Sequence, residues 1–320
     1  MPCEAVLLVS FGGPEQPEDV MPFMENVVRG RRVPRERLLE VAGHYYHFGG
    51  KSPINDQMRA VISALGRMLE QQGPRLPVYW GNRNWPPLLA ETVGQMARDG
   101  VKRAVAVIMA AWSSYSSRGQ YLENIAEARR QVGPDAPEID AAPVFFNHPG
   151  FLEGNAGRVR EALQRLPEEQ RAEAELVFTA HSIPKTMADA SEYEKQLQEA
   201  SSLVAALAGH GRWTLVYQSR SGPPEQPWLE PDVNDYLRER ARRDNRPVVL
   251  VPIGFLSDHM EVLYDLDYEA RATCEELGLT AVRAATVGTH PKFIGMIREL
   301  ILEKTVTRRA TASFPPPWGR

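Results

Sequence analysis

The stretch Glu175-Leu-Val-Phe-Thr-Ala-His181-Ser-Ile-Pro184 decides the fold, because its apolar run stops abruptly at a histidine. A second run, Val248-Val-Leu-Val-Pro-Ile-Gly254, stops in the same way and leads into Phe-Leu-Ser-Asp-His-Met-Glu261. Short apolar runs that end at glycine or polar residues are typical of buried strands in a parallel sheet. Ligands bind beyond the carboxyl ends of such strands, so we expect the two stops to face one cleft.

Runs of the same kind recur along the chain and alternate with segments of helical periodicity. The apolar runs lie at 5–10, 77–81, 103–109, 138–142, 175–180, 213–218, 247–252 and 280–286. The helical segments lie at 17–28, 53–72, 86–99, 119–131, 151–165, 189–208, 231–243, 259–277 and 291–304. This alternation predicts an α/β protein with two similar Rossmann-like halves, each a four-stranded parallel sheet flanked by helices.

Turn residues suggest where the two halves meet in the sequence. The segment Phe145-Phe-Asn-His-Pro-Gly150 separates the fourth run from the next helix, and a second crossing is expected near Thr289-His-Pro. We therefore assign residues 1–146 and 288–308 to the first half and residues 147–287 to the second. Residues 309–320, which are rich in Arg, Ser, Thr and Pro, are expected to form a disordered tail.

Composition excludes several classes of protein. The 320 residues carry a net charge of −4 without a dominant basic block, so nucleic acid is not an expected partner. No apolar stretch approaches the roughly 18 residues of a membrane span, and the N-terminus lacks the pattern of a secretion leader. We expect a cytoplasmic protein without a transmembrane anchor. Neither a coiled coil nor a long apolar patch is evident, so we also expect a monomer.

The chemistry is predicted at the two strand ends. His181 is either a metal ligand and proton acceptor on a rigid loop or a structural histidine hydrogen-bonded at a strand end. Glu261, Asp265 and Glu269 recur at every fourth position, which predicts one ridge of carboxylates or a merely solvated acidic face. An imidazole with a carboxylate suits a divalent first-row metal ion, and the absence of a His-Glu-x-x-His or Cys-x-x-Cys pattern favours a weak or transient site.

Aromatic and basic residues near the N-terminus suggest a flat anionic ligand. Phe11-Gly-Gly-Pro14 could form a wall for such a ligand, although a tight strand-to-helix turn has the same pattern. Arg29-Gly-Arg31-Arg32 lies near the aromatic segment His44-Tyr-Tyr-His-Phe-Gly-Gly50, and the pair could bind carboxylates and stack on a ring. The alternative is an ordinary cation-rich helix C-terminus.

Five ordered motifs give the chain a resemblance to a known family. They are Leu7-Leu-Val-Ser-Phe-Gly-Gly-Pro-Glu15, His47-Phe-Gly-Gly-Lys-Ser-Pro-Ile-Asn55, Phe178-Thr-Ala-His-Ser-Ile-Pro184, Tyr217-Gln-Ser-Arg-Ser-Gly-Pro223 with Pro227-Trp-Leu-Glu-Pro-Asp-Val233, and Gly254-Phe-Leu-Ser-Asp-His-Met-Glu-Val-Leu-Tyr-Asp265. From about Ala5 to Glu303 the chain resembles the soluble bacterial ferrochelatases and is most similar to the coproporphyrin III ferrochelatases.

The resemblance implies a chelatase-like fold with a porphyrin cleft between two four-stranded domains. It implies that His181 and Glu261 are the catalytic, metal-binding pair and that Asp265 and Glu269 form an acidic relay behind them. The substrate contacts that it implies are Ser52, Tyr121, Tyr45, Arg29, Phe11 and His44. Three positions depart from the relatives: Phe11 stands where some carry a tyrosine that ligates the product iron, and Val28 and His44 stand where some carry arginine.

The function implied is that of a lyase inserting Fe²⁺ into a porphyrin in haem biosynthesis, with coproporphyrin III favoured and protoporphyrin IX as the alternative. Iron is then a substrate, and no tightly bound cofactor is expected. Because the chain has only Cys3 and Cys274, an iron–sulfur cluster is not expected either. A non-catalytic tetrapyrrole or metal carrier, and a chelatase for another metal such as cobalt, are the alternatives.

Overall fold

The computed structural model describes residues 3–30, 33–223 and 225–306. The expected tail at 309–320 lies outside these residues, as do Arg31 and Arg32 of the basic cluster. Two compact units are present. The described residues of one unit fall within Met1–Ala110, Ser116–Val144 and Ile294–Arg320, and those of the other fall within Ala111–Tyr115 and Phe145–Phe293.

The first unit is built on a four-stranded parallel sheet, as predicted. Its strands are Ala5–Ser10 (β1), Val78–Asn82 (β2), Arg103–Ile108 (β3) and Glu138–Ala141 (β4). The order across the sheet is β2-β1-β3-β4, and every pairing is parallel. All six residues of β1 are buried, because helices cover the central strand on both faces.

Helices connect and cover these strands. They are Val20–Val27 (α1), Arg35–His47 (α2), Ile54–Gln72 (α3), Leu89–Arg98 (α4) and Gln120–Val132 (α5), with a short 3₁₀ turn at Pro17–Asp19 and a π-helical turn at Tyr115–Gly119. The helix α2 was not predicted from the sequence. Only Leu38 and Ala42 of α2 are buried, so its apolar stripe is too narrow to be recognised by periodicity.

The second unit repeats the same plan. Its strands are Glu175–His181 (β5), Trp213–Gln218 (β6), Val248–Val251 (β7) and Ala281–Arg283 (β8). They form a parallel sheet in the order β6-β5-β7-β8. The predicted fold class is therefore confirmed by both sheets, and the two strands that end in the chemical motifs, β5 and β7, are neighbours in this one.

The helices of the second unit flank its sheet. They are Pro149–Leu163 (α6), Glu168–Arg171 (α7), Lys185–Asp189 (α8), Tyr193–Leu207 (α9), Val233–Ala241 (α10), Met260–Val262 (α11) and Arg271–Glu276 (α12). The last helix, Pro291–Val306 (α13), follows β8 and belongs to the first unit from Ile294 onward. One cluster of the core packs β5, β6 and β7 against α10 and the segment from Val262 to Cys274.

The single helix predicted at 259–277 is wrong in one respect, since its central part, Leu263–Ala270, is a π-helix. Four apolar residues of this segment belong to one core cluster, and they repeat every fourth position: Val262, Leu266, Ala270 and Cys274. An α-helix turns every 3.6 residues, so a strict repeat of four drifts off one face of it. A wider turn keeps the apolar repeat on one face and the acidic repeat on another.

The sequence suggested boundaries between the units after residues 146 and 287. In the structure the chain passes from one unit to the other after Val144 and after Phe293. Phe145 belongs to the second unit because its ring packs 5.9 Å from Phe151 and 6.1 Å from Phe293. Trp112 belongs there as well, since its Nε1 donates to the carbonyl oxygen of Gly254 at 3.1 Å. Arg298 of α13 donates to the carbonyl oxygens of Gln72 and Gly73 in the first unit. No helix in the described ranges has the length and apolar character needed to cross a bilayer.

Candidate active site

His181 is held at the carboxyl end of β5 by contacts on its own backbone and ring. The hydroxyl of Tyr193 donates to the carbonyl oxygen of His181 at 3.0 Å. The ring nitrogen Nδ1 faces the carbonyl oxygen of Ser182, which can only accept, so Nδ1 carries a proton. The other nitrogen, Nε2, is therefore the one available to a ligand or to a carboxylate.

Glu261 is the group that Nε2 meets. Its Oε1 lies 3.6 Å from Nε2 of His181, and the side chains are 31% and 46% exposed for His181 and Glu261. Burial disfavours charge on both groups, but their mutual attraction outweighs it, raising the pKa of His181 to about 9 and lowering that of Glu261 to about 2. A carboxylate this close to the ring favours the imidazolium even where solvent screens the pair. In the absence of metal the pair is thus an imidazolium and a carboxylate.

A second histidine fixes the backbone that carries Glu261. His259 is the N-cap of α11, and its Nδ1 accepts the N–H of Glu261 at 3.2 Å. The same nitrogen lies 3.8 Å from Oε2 of Glu261. Burial lowers the pKa of His259, which therefore stays neutral and can accept.

Asp265 lies behind this pair on the π-helix. Its Oδ2 accepts from the hydroxyl of Ser219 and, at 3.2 Å, from Nε2 of Gln218, and Gln218 also donates to the carbonyl oxygen of Glu261 at 2.9 Å. Burial raises the pKa of Asp265 to about 7, with the nearby Glu261 and Glu269 carboxylates adding to the rise. A carboxyl with a pKa near neutrality can take up and release a proton during a reaction.

Glu269 continues the ridge toward the surface. Its side chain is exposed, and partial burial together with Asp232 raises the pKa of its carboxyl. The structure therefore brings Glu261, Asp265 and Glu269 onto one face, as the spacing predicted. The described residues contain no group of three His, Cys, Asp or Glu side chains placed to hold one metal ion. Metal binding here would depend on His181 and Glu261 with other ligands from water or substrate.

Close backbone packing fixes the end of β5. Gly254, which follows β7, lies so near Ala180 that a Cβ on Gly254 would come within 2.6 Å of the Ala180 Cα. On the other side, the Ser182 hydroxyl donates to the carbonyl oxygen of Leu229 at 2.8 Å. These contacts leave the His181 backbone little room to move.

The first unit brings several predicted substrate contacts to the turn after β1. Gly12 adopts a φ of +81°, and a Cβ there would lie 2.9 Å from the Cβ of Asn82, so the tight turn requires glycine. Ser52 packs against the same turn, with its N–H donating to the carbonyl oxygen of Pro14 at 2.9 Å. The turn and Ser52 thus form one rigid edge.

Aromatic rings lie around this turn. Phe23 is the centre, with edge contacts to Phe11 at 6.2 Å, Tyr45 at 5.8 Å and Trp85 at 6.2 Å between ring centroids. Phe11, Tyr45 and Trp85 are all partly buried. The four rings thus form one aromatic wall beside the turn.

Arg83 links this wall to Tyr121. Its guanidinium carbon lies 4.6 Å from the ring centroid of Tyr121 and 5.8 Å from that of Phe11. Two amides orient it, since Nε donates to Asn124 at 2.7 Å and Nη2 donates to Gln120 at 3.1 Å. Cation–π contacts of this kind place positive charge at the face of the aromatic surface.

Arg29 and His44 take different positions from the other predicted contacts. Arg29 is exposed at the end of α1, and its guanidinium donates to Asn26. His44 lies on α2 beside Arg37 and Glu40, and burial lowers its pKa. The structure thus gathers Phe11, Tyr45 and Ser52 at one turn, with Tyr121 joined to them through Arg83.

No individual role was predicted from the sequence for His259, Gln218, Ser219 or Arg83. Gln218 is the last residue of β6, and Arg83 directly follows β2. A parallel sheet presents polar side chains to a ligand at these carboxyl ends of its strands. That position was a usable signal. His259 gave a weaker one, because its capping role depends on a backbone geometry that spacing alone does not reveal.

Comparison with known proteins agrees with these motifs. The family model described as ferrochelatase matches residues 3–305. A ferrochelatase of Rhodopirellula baltica is 53% identical over 95% of this chain and 86% of its own length. A coproporphyrin III ferrochelatase of Nocardia farcinica is 51% identical over 95% of this chain and 88% of its own length.

A solved structure gives the same result for the fold. The sirohydrochlorin chelatase of Bacillus subtilis subspecies spizizenii, solved in complex with cobalt, matches with a TM-score of 0.55 over 95% of each chain. At 10% identity this likeness concerns the fold alone. The family model and the relatives at about half identity go further: the chain belongs to the ferrochelatase family.

Proposed function

We propose that this protein is a ferrochelatase, a lyase that inserts Fe²⁺ into a porphyrin in haem biosynthesis. The observation that carries the proposal is the pair formed by His181 Nε2 and Glu261 Oε1, 3.6 Å apart at the carboxyl edge of the second sheet. An imidazole and a carboxylate can bind a ferrous ion weakly enough to pass it on. The same two groups exchange protons, which metal insertion requires.

The proton balance suggests an order of events. A porphyrin loses two pyrrole protons when it takes up Fe²⁺, so the site must accept them. In the metal-free pair His181 already holds a proton, because Glu261 raises its pKa to about 9. Iron arriving at Glu261 would neutralise the carboxylate that favours the imidazolium, and His181 would then release its proton and become able to bind metal or accept a pyrrole proton.

Asp265 is suited to carry protons away from the pair. Its pKa of about 7 lets it gain and lose a proton near neutral pH, whereas the pKa of Glu261 at about 2 makes that carboxylate a poor base while it faces His181. Glu269 would pass the proton on to solvent, since its side chain is exposed. The acidic ridge would thus serve as a relay, as the family resemblance implies.

The first unit supplies surfaces suited to a flat, anionic macrocycle. Phe11 and Tyr45 offer partly buried rings, Ser52 and Tyr121 offer hydroxyl groups, and Arg83 offers positive charge. Bending of the macrocycle against such a wall would direct a nitrogen lone pair at the incoming metal. Phe11 has no hydroxyl group, so we propose that it packs against the ring and does not ligate iron.

We propose coproporphyrin III as the porphyrin, because that substrate appears in the name of the Nocardia farcinica relative at 51% identity. The test is an anaerobic spectrophotometric assay that compares coproporphyrin III with protoporphyrin IX as substrates for Fe²⁺ insertion. Faster turnover with coproporphyrin III supports the proposal, and preference for protoporphyrin IX contradicts it. A carrier would stop at one equivalent of product, and a cobalt chelatase would prefer Co²⁺ in the same assay.

We further propose that the enzyme is a cytoplasmic monomer with no resident cofactor. Burial raises the pKa of both thiols, Cys3 and Cys274, that of Cys274 to about 11, so neither is readily deprotonated to a cluster ligand. Metal and acid-labile sulfide analysis of the purified protein tests for a cluster. Light scattering tests the monomer, and fractionation of cells tests the location.

A further inference from the structure

Arg283 lies at the carboxyl end of the edge strand β8, and the family resemblance assigns it no role. Its guanidinium binds Asp267 in a bidentate manner, with Nε donating to Oδ1 at 2.6 Å and Nη2 donating to Oδ2 at 2.8 Å. It also binds Asp258, with Nη1 donating to Oδ1 at 3.1 Å. One arginine therefore joins two carboxylates of the segment that connects β7 to β8.

The two carboxylates lie on either side of Glu261 in the sequence. Asp258 precedes the cap residue His259, and Asp267 lies within the π-helix Leu263–Ala270 that also carries Asp265. Arg283 thus ties both ends of the segment bearing Glu261 and Asp265 to the sheet. The side chains of Arg283 and Asp258 are only 17% and 18% exposed, so water competes little for these bonds.

The register of the π-helix depends on such anchors. A π-helical turn inserts one residue relative to an α-helix, and each residue in an α-helix advances by about 100° around the axis. If the segment relaxed to α-helix, Asp267 would rotate away from Arg283 while Asp258 stayed in place. Arg283 can therefore bind Asp267 and Asp258 at the same time only while this segment is a π-helix.

Apolar packing does not fix this register by itself. Leu266 and Ala270 bury one face of the segment, but apolar contacts are non-directional and tolerate small rotations. Charged hydrogen bonds from the planar guanidinium have a fixed geometry, so a small rotation of the helix would break them. The position of the Glu261 carboxylate relative to His181 Nε2 therefore depends on the bonds from Arg283 to Asp258 and Asp267, which we call the clamp.

We propose that Arg283 is a positioning residue for metal binding, which holds Glu261 and Asp265 in place by clamping Asp258 and Asp267. The inference rests on the proposed function, because it concerns how the chain binds Fe²⁺ for insertion. Arg283 acts through the two aspartates and touches neither metal nor porphyrin. Loss of a residue that orients metal ligands typically lowers metal affinity by about 10-fold to 100-fold.

The test compares Arg283→Met with a matched control, Arg240→Met. Arg240 also pairs with two carboxylates, Glu175 at 2.5 Å and Asp244 at 3.7 Å, but at the start of β5, the opposite end of the strand from His181. We expect Arg283→Met to raise the KM for Fe²⁺ and the Kd for Fe²⁺ by roughly tenfold or more, while porphyrin affinity changes less than about twofold. Arg240→Met should lower the melting temperature and leave both iron constants unchanged.

A neutral triple variant separates positioning from loss of charge balance. Arg283→Met combined with Asp258→Asn and Asp267→Asn removes the clamp without leaving an unpaired carboxylate. We expect it to recover thermal stability but to keep the raised KM for Fe²⁺. Iron constants like those of the wild type, in either the single or the triple variant, would overturn the inference.

The same measurements separate this inference from the proposed function. If the wild type does not insert iron, the proposed function fails, and the clamp is still tested by anaerobic titration of Fe²⁺ into the metal-free proteins. If the wild type inserts iron and Arg283→Met does so with an unchanged KM, only the clamp fails. All assays are run below the melting temperature of the least stable variant.

Discussion

Ser219 donates its hydroxyl to the carboxylate of Asp265 from a left-handed backbone conformation, with φ at 61°. Among the described residues other than glycine, it alone has a positive φ. Such a conformation costs a side chain roughly 1 kcal/mol or more, so it persists where surrounding contacts require it. The strain lies directly beside the carboxyl that we propose as the proton relay.

Removing this hydroxyl should change the pH dependence of iron insertion. A hydrogen bond to the charged carboxylate lowers its pKa, so Ser219→Ala and Ser219→Gly should both raise the pKa of Asp265 above its value of about 7. We expect the acidic limb of the rate profile to move to higher pH by roughly one unit in both variants. An unmoved limb in both would rule out Asp265 as the relay.

The same two variants report on the backbone strain. Glycine accepts the left-handed conformation without cost, whereas alanine does not. Ser219→Gly should therefore be more stable to denaturant than Ser219→Ala by about 1 kcal/mol. Equal stability would mean that neighbouring residues relax the strain.

Truncation of His181 should abolish most of the activity without unfolding the protein. His181→Ala removes both a metal ligand and a proton acceptor, and we expect the anaerobic rate of iron insertion to fall by roughly 100-fold or more. The melting temperature should fall only modestly, through loss of the ion pair with Glu261, because the side chain is 31% exposed at a strand end. His210→Ala, at the half-buried histidine just before β6, is the control and should keep full activity. A rate close to that of the wild type would remove His181 from the mechanism.

The ion pair should be visible by NMR titration of the metal-free protein. The imidazole of His181 should titrate near its raised pKa of about 9, against an ordinary value of 6.5. In Glu261→Gln the attraction of that carboxylate is lost and burial remains, so the pKa should fall well below 9 and toward 6.5. Titration near 6.5 in the wild type would contradict the pairing of these two side chains.

Stability should depend on pH in a way that follows from the same pair. The contribution of His181 is complete below pH 6.5 and is lost as the pH rises toward 9, because its folded pKa is raised. The contribution of Glu261 is complete above pH 4.5 and is lost as the pH falls toward 2, because its folded pKa is lowered. The difference in melting temperature between wild type and Glu261→Gln should thus be largest between pH 4.5 and 6.5 and should shrink on both sides.

Gly254 should tolerate no side chain. A Cβ at this position would lie 2.6 Å from both Cα and Cβ of Ala180, and Ala180 precedes His181. Gly254→Ala should cost about 1–3 kcal/mol of unfolding free energy by overpacking and should also slow iron insertion by displacing His181. Gly66→Ala is the control, because nothing lies within 4 Å of the added Cβ in α3 and the helix should gain about 0.5–1 kcal/mol. A neutral Gly254→Ala would show that the two strand ends can separate.

Local patterns were sufficient for most of the architecture. The alternation of apolar runs with helical segments predicted two four-stranded parallel sheets, and both are present. The helix α2 escaped notice because it buries only Leu38 and Ala42, which leaves no clear apolar stripe. The π-helix was also not predicted, although the sequence contains apolar residues at every fourth position along this segment.

By itself the sequence determined the fold class, the family and the strand ends at which His181 and Glu261 lie, because apolar periodicity and ordered motifs are local properties of the chain. Only the tertiary structure decided that Nε2 of His181 lies 3.6 Å from Glu261 and that Ser219 and Gln218 bind Asp265. It also decided that Arg283 joins Asp258 to Asp267. These contacts connect residues from different strands, turns and helices, and their distances and pKa values depend on burial and packing that no local pattern encodes.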